Sequence, residues 1–113
     1  METHAKVVVI GGGVVGCSVL FHLAKFGLKD CILLERDELT SGSSWHAAGS
    51  VHAISSDPNI SKLMAYTIKL YKEIEETSGH SVGFKPSGGF YLASNEVWHD
   101  YLKRERSKAR YMG

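Results

Sequence analysis

Six residues, Gly11-Gly12-Gly13-Val14-Val15-Gly16, follow directly on the apolar run Val7-Val8-Val9-Ile10, and this junction restricts the fold more than any other stretch of the chain. A short β-branched run reads as a buried parallel strand. Glycines at the first, third and sixth positions of the hexapeptide let a chain turn sharply into a helix beside a pyrophosphate. Gly11 permits the turn, Gly13 lets the backbone approach the phosphates, and Gly16 lets the new helix pack closely on the strand. The helix start, with Val14 and Val15 as its first residues, presents unpaired N–H groups and a partial positive charge to a diphosphate.

The following residues complete the unit. A helix is expected from Val14 to Phe26, with an apolar stripe at Val15, Val19, Leu23 and Phe26 and a stop at Gly27. A second strand, Cys31-Ile32-Leu33-Leu34, then ends in Glu35. An acid at that place, roughly 20 residues past the glycines, accepts hydrogen bonds from the hydroxyls of a dinucleotide's ribose and repels the extra phosphate of NADP. The chain therefore reads as an α/β protein opening on a Rossmann-like βαβ unit that binds a dinucleotide. Glycine spacing alone does not choose between FAD and NAD.

The next segment makes that choice through a resemblance. The run Leu33-Leu34-Glu35-Arg36, continued by Thr40-Ser41-Gly42-Ser43-Ser44-Trp45-His46-Ala47-Ala48-Gly49, resembles the dimethylglycine and sarcosine dehydrogenase branch of the FAD-dependent oxidoreductases related to D-amino acid oxidase. Ile68-Lys69-Leu70-Tyr71, Glu75-Glu76-Thr77-Ser78-Gly79 and Gly88-Gly89-Phe90-Tyr91-Leu92-Ala93-Ser94 resemble the same branch in the same order, so the likeness covers nearly the whole chain. It implies an FAD-binding site formed by Gly11, Gly13, Val14, Val15, Gly16, Glu35, Arg36, Ser43, Ser44 and His46. Ser41 and Gly42 belong to the same flavin-contacting loop.

In that family the histidine matching His46 is bonded covalently to the methyl carbon beside the flavin's dimethylbenzene ring. A neutral imidazole nitrogen is a nucleophile, so the role is chemically reasonable for His46. Such a link prevents loss of the cofactor and is expected to raise its potential as an oxidant. The implied activity is oxidative N-demethylation of a small N-methylated glycine, dimethylglycine or sarcosine, with the iminium product hydrolysed to formaldehyde or captured by tetrahydrofolate. Two alternatives stand beside it. One is a non-catalytic relative of the kind of the pyruvate dehydrogenase phosphatase regulatory subunit, which lacks the histidine. The other is an amino-acid oxidase holding FAD noncovalently.

Composition narrows the partners. Thirteen Lys and Arg against twelve Asp and Glu leave a net charge of +1, with no basic face for nucleic acid and no acidic tail. His4, His22, His52, His80 and His99 have no Cys or carboxylate at metal-ligand spacing, so no metal site is expected. Cys17 and Cys31 each fall in an apolar element and are expected to be buried free thiols. The apolar stretches are too short to span a bilayer. Only Met1 to Ala5 precede the first strand, which points to a bacterial cytoplasmic protein or, for a eukaryotic source, a processed protein of the mitochondrial matrix.

A helix is expected to start at Asp57-Pro58, to pack through Ile60, Leu63, Thr67, Leu70, Tyr71 and Ile74, and to stop at Gly79. Lys69, Lys72, Glu73, Glu75 and Glu76 form its solvated face. Phe90-Tyr91-Leu92-Ala93 is expected to be a strand and Asn95 to cap a last helix whose end turns basic from Lys103 to Arg110. By the resemblance, residues 1–80 are the first part of the FAD-binding domain and residues 81–113 the start of a substrate domain. Family enzymes are several times longer, so the 113 residues are expected to be the amino-terminal part of a longer enzyme.

Overall fold

The computed structural model describes residues 4–112. They form two strands, three α-helices and one 3-10 turn, in the order β1 (Val7–Ile10), α1 (Val14–Lys25), β2 (Cys31–Leu34), a 3-10 turn at Ser43–His46, α2 (Pro58–Ser78) and α3 (Glu96–Met112). The chain divides into two compact units, residues 1–49 and residues 50–113. That boundary falls within the stretch the sequence assigns to the FAD-binding domain.

In the first unit β1 and β2 pair in parallel, Val7 opposite Cys31 and Ile10 opposite Leu34, and α1 packs on both strands. This is the expected βαβ arrangement. The helix ends where Gly27 adopts φ 87, with Leu28 N–H bonded to Leu23 O at 3.0 Å and Gly27 N–H to Ala24 O at 2.9 Å. Those two bonds satisfy carbonyls that the helix leaves open, and a left-handed residue without Cβ is what the geometry demands.

The buried stripe of α1 differs from the expected one. Val15 and Phe26 are 73% and 83% exposed, whereas Gly16, Cys17, Leu20 and Leu23 are at least half-buried. The helix is turned by one position because Gly16, lacking a side chain, is the residue that can sit against the turn. Cys17 and Cys31 are free and half-buried rather than fully buried, and each thiol donates to a nearby carbonyl, Gly12 O and Leu28 O respectively.

The second unit is built on α2. Asp57 caps it, its Oδ1 accepting from Asn59 N–H at 2.7 Å and Ile60 N–H at 3.0 Å, with Pro58 next in line, and Gly79 closes it at φ 69. Leu70 and Ser61 are its buried side chains. Ser61 Oγ accepts from Ser55 N–H and donates to Ser55 O, which pins the segment before the helix. Ile60 and Leu63, expected to pack, are exposed, because the buried side of the helix runs through Ser61, Met64, Ile68 and Tyr71. Beyond Gly79 the chain folds back on α2. Glu75 accepts from Ser81 Oγ and Val82 N–H, and the Phe84 ring lies 5.9 Å from that of Tyr71.

Phe90–Ala93 is not a strand. An extended segment becomes a strand only when a neighbour completes its ladder, and among the described residues none does; Phe90 and Leu92 are 97% and 89% exposed. Asn95 does cap α3, its Oδ1 accepting from Trp98 N–H at 2.9 Å. No helix among the described residues is long and apolar enough to cross a membrane, and they contain no cluster of His, Cys, Asp or Glu able to hold a metal.

Candidate functional site

The glycine turn joins β1 to α1 and is held from three directions. Gly11 adopts φ 104, a left-handed conformation that disfavours any residue with a Cβ. Its N–H bonds to Leu34 O at 2.8 Å, extending the pairing one step past the end of β1. A Cβ on Gly16 would fall on the Gly11 carbonyl oxygen, so the turn and the first turn of the helix touch backbone to backbone. Gly16 therefore serves close packing, as expected, but against the turn rather than mainly against the strand.

Gly12, to which the sequence pattern gave no role, is the buried centre of the turn. Its N–H donates to Glu35 Oε2 at 2.5 Å and its carbonyl accepts from Thr40 N–H at 2.9 Å. A Cβ there would press on the Leu39 side chain and on Glu35. The single signal for this role was a glycine in the middle of the run, between Gly11 and Gly13; nothing in the sequence pointed to Leu39 or Thr40.

Glu35 is the strut between the two strand ends. Besides Gly12, its carboxylate accepts from the N–H groups of Arg36 at 2.7 Å and Asp37 at 3.1 Å. These three donors, Gly12 first, together with the Arg36 charge, hold the carboxyl below its ordinary pKa. A carboxylate offers about four acceptor positions, so one remains for a ribose hydroxyl.

The amino terminus of α1 carries no side-chain cap of its own, since Gly13 stands at the capping position. Ser44 supplies one from 30 residues away: its Oγ accepts from Val14 N–H at 2.9 Å. A Cβ on Gly13 would come within 3.2 Å of that oxygen. The N–H groups of Gly13, Val15 and Gly16 make no hydrogen bond among the described residues, and they form the open donor set that a helix start offers an anion.

A cleft of about 510 Å³ lies at the carboxyl ends of both strands, lined by Ile10, Gly11, Gly13, Leu34, Glu35, Arg36, Asp37, Thr40, Ser41 and Gly42. Small-molecule sites span about 300–1,000 Å³, and in open α/β sheets they lie at this end of the strands. Six of the sequence-predicted residues, Gly11, Gly13, Glu35, Arg36, Ser41 and Gly42, thus share the cleft. Val14, Val15, Gly16, Ser43, Ser44 and His46 do not line it. Ser44 reaches the helix start beside it, while His46 is exposed at the end of the 3-10 turn with its ring 4.5 Å from that of Trp45.

The family model described as DAO, FAD dependent oxidoreductase, matches residues 6–112. The chain belongs to that family. Among curated relatives it is similar to human mitochondrial dimethylglycine dehydrogenase, 45% identical over 95% of this chain, and to human mitochondrial sarcosine dehydrogenase, 42% identical over all of it. The mouse pyruvate dehydrogenase phosphatase regulatory subunit is 34% identical, again over the whole chain. The chain spans 12% of the length of each of the two human dehydrogenases and 13% of the regulatory subunit. Among solved structures, glycine oxidase of Bacillus cereus superposes with a TM-score of 0.73 at 26% identity, covering 97% of this chain and 32% of that one.

For this DAO-family chain the residues present fit an adenine dinucleotide. The open N–H groups suit its diphosphate, the remaining acceptor of Glu35 suits its ribose, and the bare Gly11 and Gly13 leave the backbone approachable.

Proposed function

We propose that this chain is the nucleotide-binding amino-terminal part of an FAD-dependent amine oxidoreductase that N-demethylates dimethylglycine or sarcosine. The observation that carries the proposal is the meeting of the glycine turn, the open helix start and Glu35 at one cleft, in a chain that belongs to the DAO family. Bound FAD would supply the two-electron oxidation of the substrate's N-methyl carbon. The chain's own residues bind and orient it: Gly13, Val15 and Gly16 donate to the diphosphate, Glu35 accepts from the ribose, and Ser44 fixes the helix start. In this reading residues 1–80 belong to the FAD-binding part and 81–113 open the substrate part.

His46 is the covalent anchor of the flavin in this proposal, and Ser43 contacts the same ring. The exposed position of His46 supports the role, since a nucleophile must be accessible to its partner. None of the described residues is assigned to substrate or to tetrahydrofolate. The two human relatives carry "mitochondrial" in their names, so the mitochondrial matrix is the proposed compartment for a eukaryotic source.

The regulatory reading is kept because one relative bears that name, but Trp45-His46 counts against it, since the resemblance makes the histidine the mark of the enzymes. The deciding experiment is the intact mass, under denaturing conditions, of the product of this gene from its native source, followed by assay with dimethylglycine, sarcosine and an artificial electron acceptor. One retained flavin and release of formaldehyde are expected. A flavin-free product inert toward both amines would sink the proposal.

A further inference from the structure

Thr40 is the only non-glycine with positive φ among the described residues, at φ 65. A β-branched side chain in the left-handed region crowds its own backbone, and residues held this way concentrate at ligand sites, where the surrounding structure over-determines them. Here two contacts impose the conformation: Thr40 N–H donates to Gly12 O, and the Leu39 side chain lies over Gly12. Both would be satisfied equally by glycine at position 40, which adopts φ 65 without strain. The backbone therefore explains the conformation without explaining the side chain.

The residue borders a site. Thr40 lines the cleft together with Gly11, Gly13, Glu35 and Arg36, and its hydroxyl has no hydrogen-bond partner among the described residues. It thus stands between the glycine turn and the acidic strand end, the two places that hold the phosphates and the ribose in the dinucleotide reading.

We propose that Thr40 is a cofactor-binding residue whose hydroxyl hydrogen-bonds an oxygen of the dinucleotide's ribose–diphosphate stretch. The inference rests on the dinucleotide reading above and adds a residue to it. Strain at Thr40 is held in the free chain, and the contact it makes available appears when the ligand is bound.

The test is made on the flavin-free full-length gene product, with ADP and, in a His46→Ala background where FAD stays exchangeable, FAD as probes, reading the dissociation constant by calorimetry and the melting temperature without ligand. Thr40→Val keeps the β-branched shape and removes the hydroxyl. It should leave the melting temperature unchanged and weaken binding of both probes about fivefold, the size of one hydrogen bond. Thr40→Gly should raise the melting temperature yet weaken binding to the same degree, and Thr40→Ser should bind as the parent does. If Thr40→Val and Thr40→Gly bind as tightly as the parent, the Thr40 contact is overturned while the cleft stands. If the parent binds neither probe, the dinucleotide reading falls and the Thr40 contact with it.

Discussion

The carboxylate of Glu35 accepts a hydrogen bond from the backbone N–H of Gly12, 23 positions earlier, and so ties the end of β2 to the centre of the glycine turn. A residue read from the sequence as a ligand for ribose is also a structural member of the turn proposed to bind the phosphates. Both halves of the proposed nucleotide site thus depend on one side chain.

That dependence gives a pH signature. The three N–H donors lower the folded-state pKa of Glu35 below its ordinary value of 4.5. The stabilisation is complete above that ordinary value and is lost as pH falls through the lower folded one. Glu35→Gln should melt at a lower temperature than the parent at pH 7, since the amide nitrogen offers no acceptor to the second donor. The gap should close as the pH is taken from 6 to 3. A gap of constant size would assign the loss to packing.

Gly16→Ala should be the more damaging of two alanine substitutions in the turn. Its Cβ meets a backbone carbonyl that cannot rotate away, whereas the Cβ of Gly12→Ala meets chiefly the far end of the Leu39 side chain. Overpacking costs about 1–3 kcal/mol, occasionally more, and the two variants are expected at the high and low ends of that range. Urea denaturation of both would reveal the order, and equal midpoints would contradict it.

Ser44 separates folding from binding. Ser44→Ala removes the cap on Val14 N–H and should lower stability by about 1 kcal/mol, the usual cost of a lost N-cap. Ser44→Asp keeps an acceptor there but sets a negative charge beside the proposed diphosphate position. It should melt near the parent temperature while binding FAD markedly more weakly; unchanged affinity would move the phosphates elsewhere.

For His46, the measurement is flavin retention. In the proposed longer enzyme, His46→Ala should release all of its FAD on acid precipitation, whereas the parent should keep it with the pellet. Flavin remaining in the mutant pellet would remove the anchor role from His46.

Much of this was legible in the residues, and the exceptions share a cause. Val7-Val8-Val9-Ile10 and Cys31-Ile32-Leu33-Leu34 declare strands by local composition, and Asp57-Pro58, Gly79 and Asn95 mark helix ends through chemistry acting over a few residues. The rotation of α1 about Gly16 was not legible, because apolar counting gives a glycine no weight on a helix face. Phe90–Ala93 has the composition of a strand, yet strand formation needs a partner that composition cannot supply. The reach of Leu39, Thr40 and Ser44 back to the glycine turn spans about thirty positions, and no local pattern records such a meeting.

The cap that Ser44 lends to α1 bears on how the site comes into being. A helix capped by its own flanking residue can settle as soon as its first turns are made, but α1 gains this acceptor only once the chain has run through β2 and back. Closing such a long loop comes late relative to local helix formation. On a ribosome the helix would therefore wait, its first N–H groups open to water, until residue 44 had emerged, so that the glycine turn takes its final form after the strand that carries the acid.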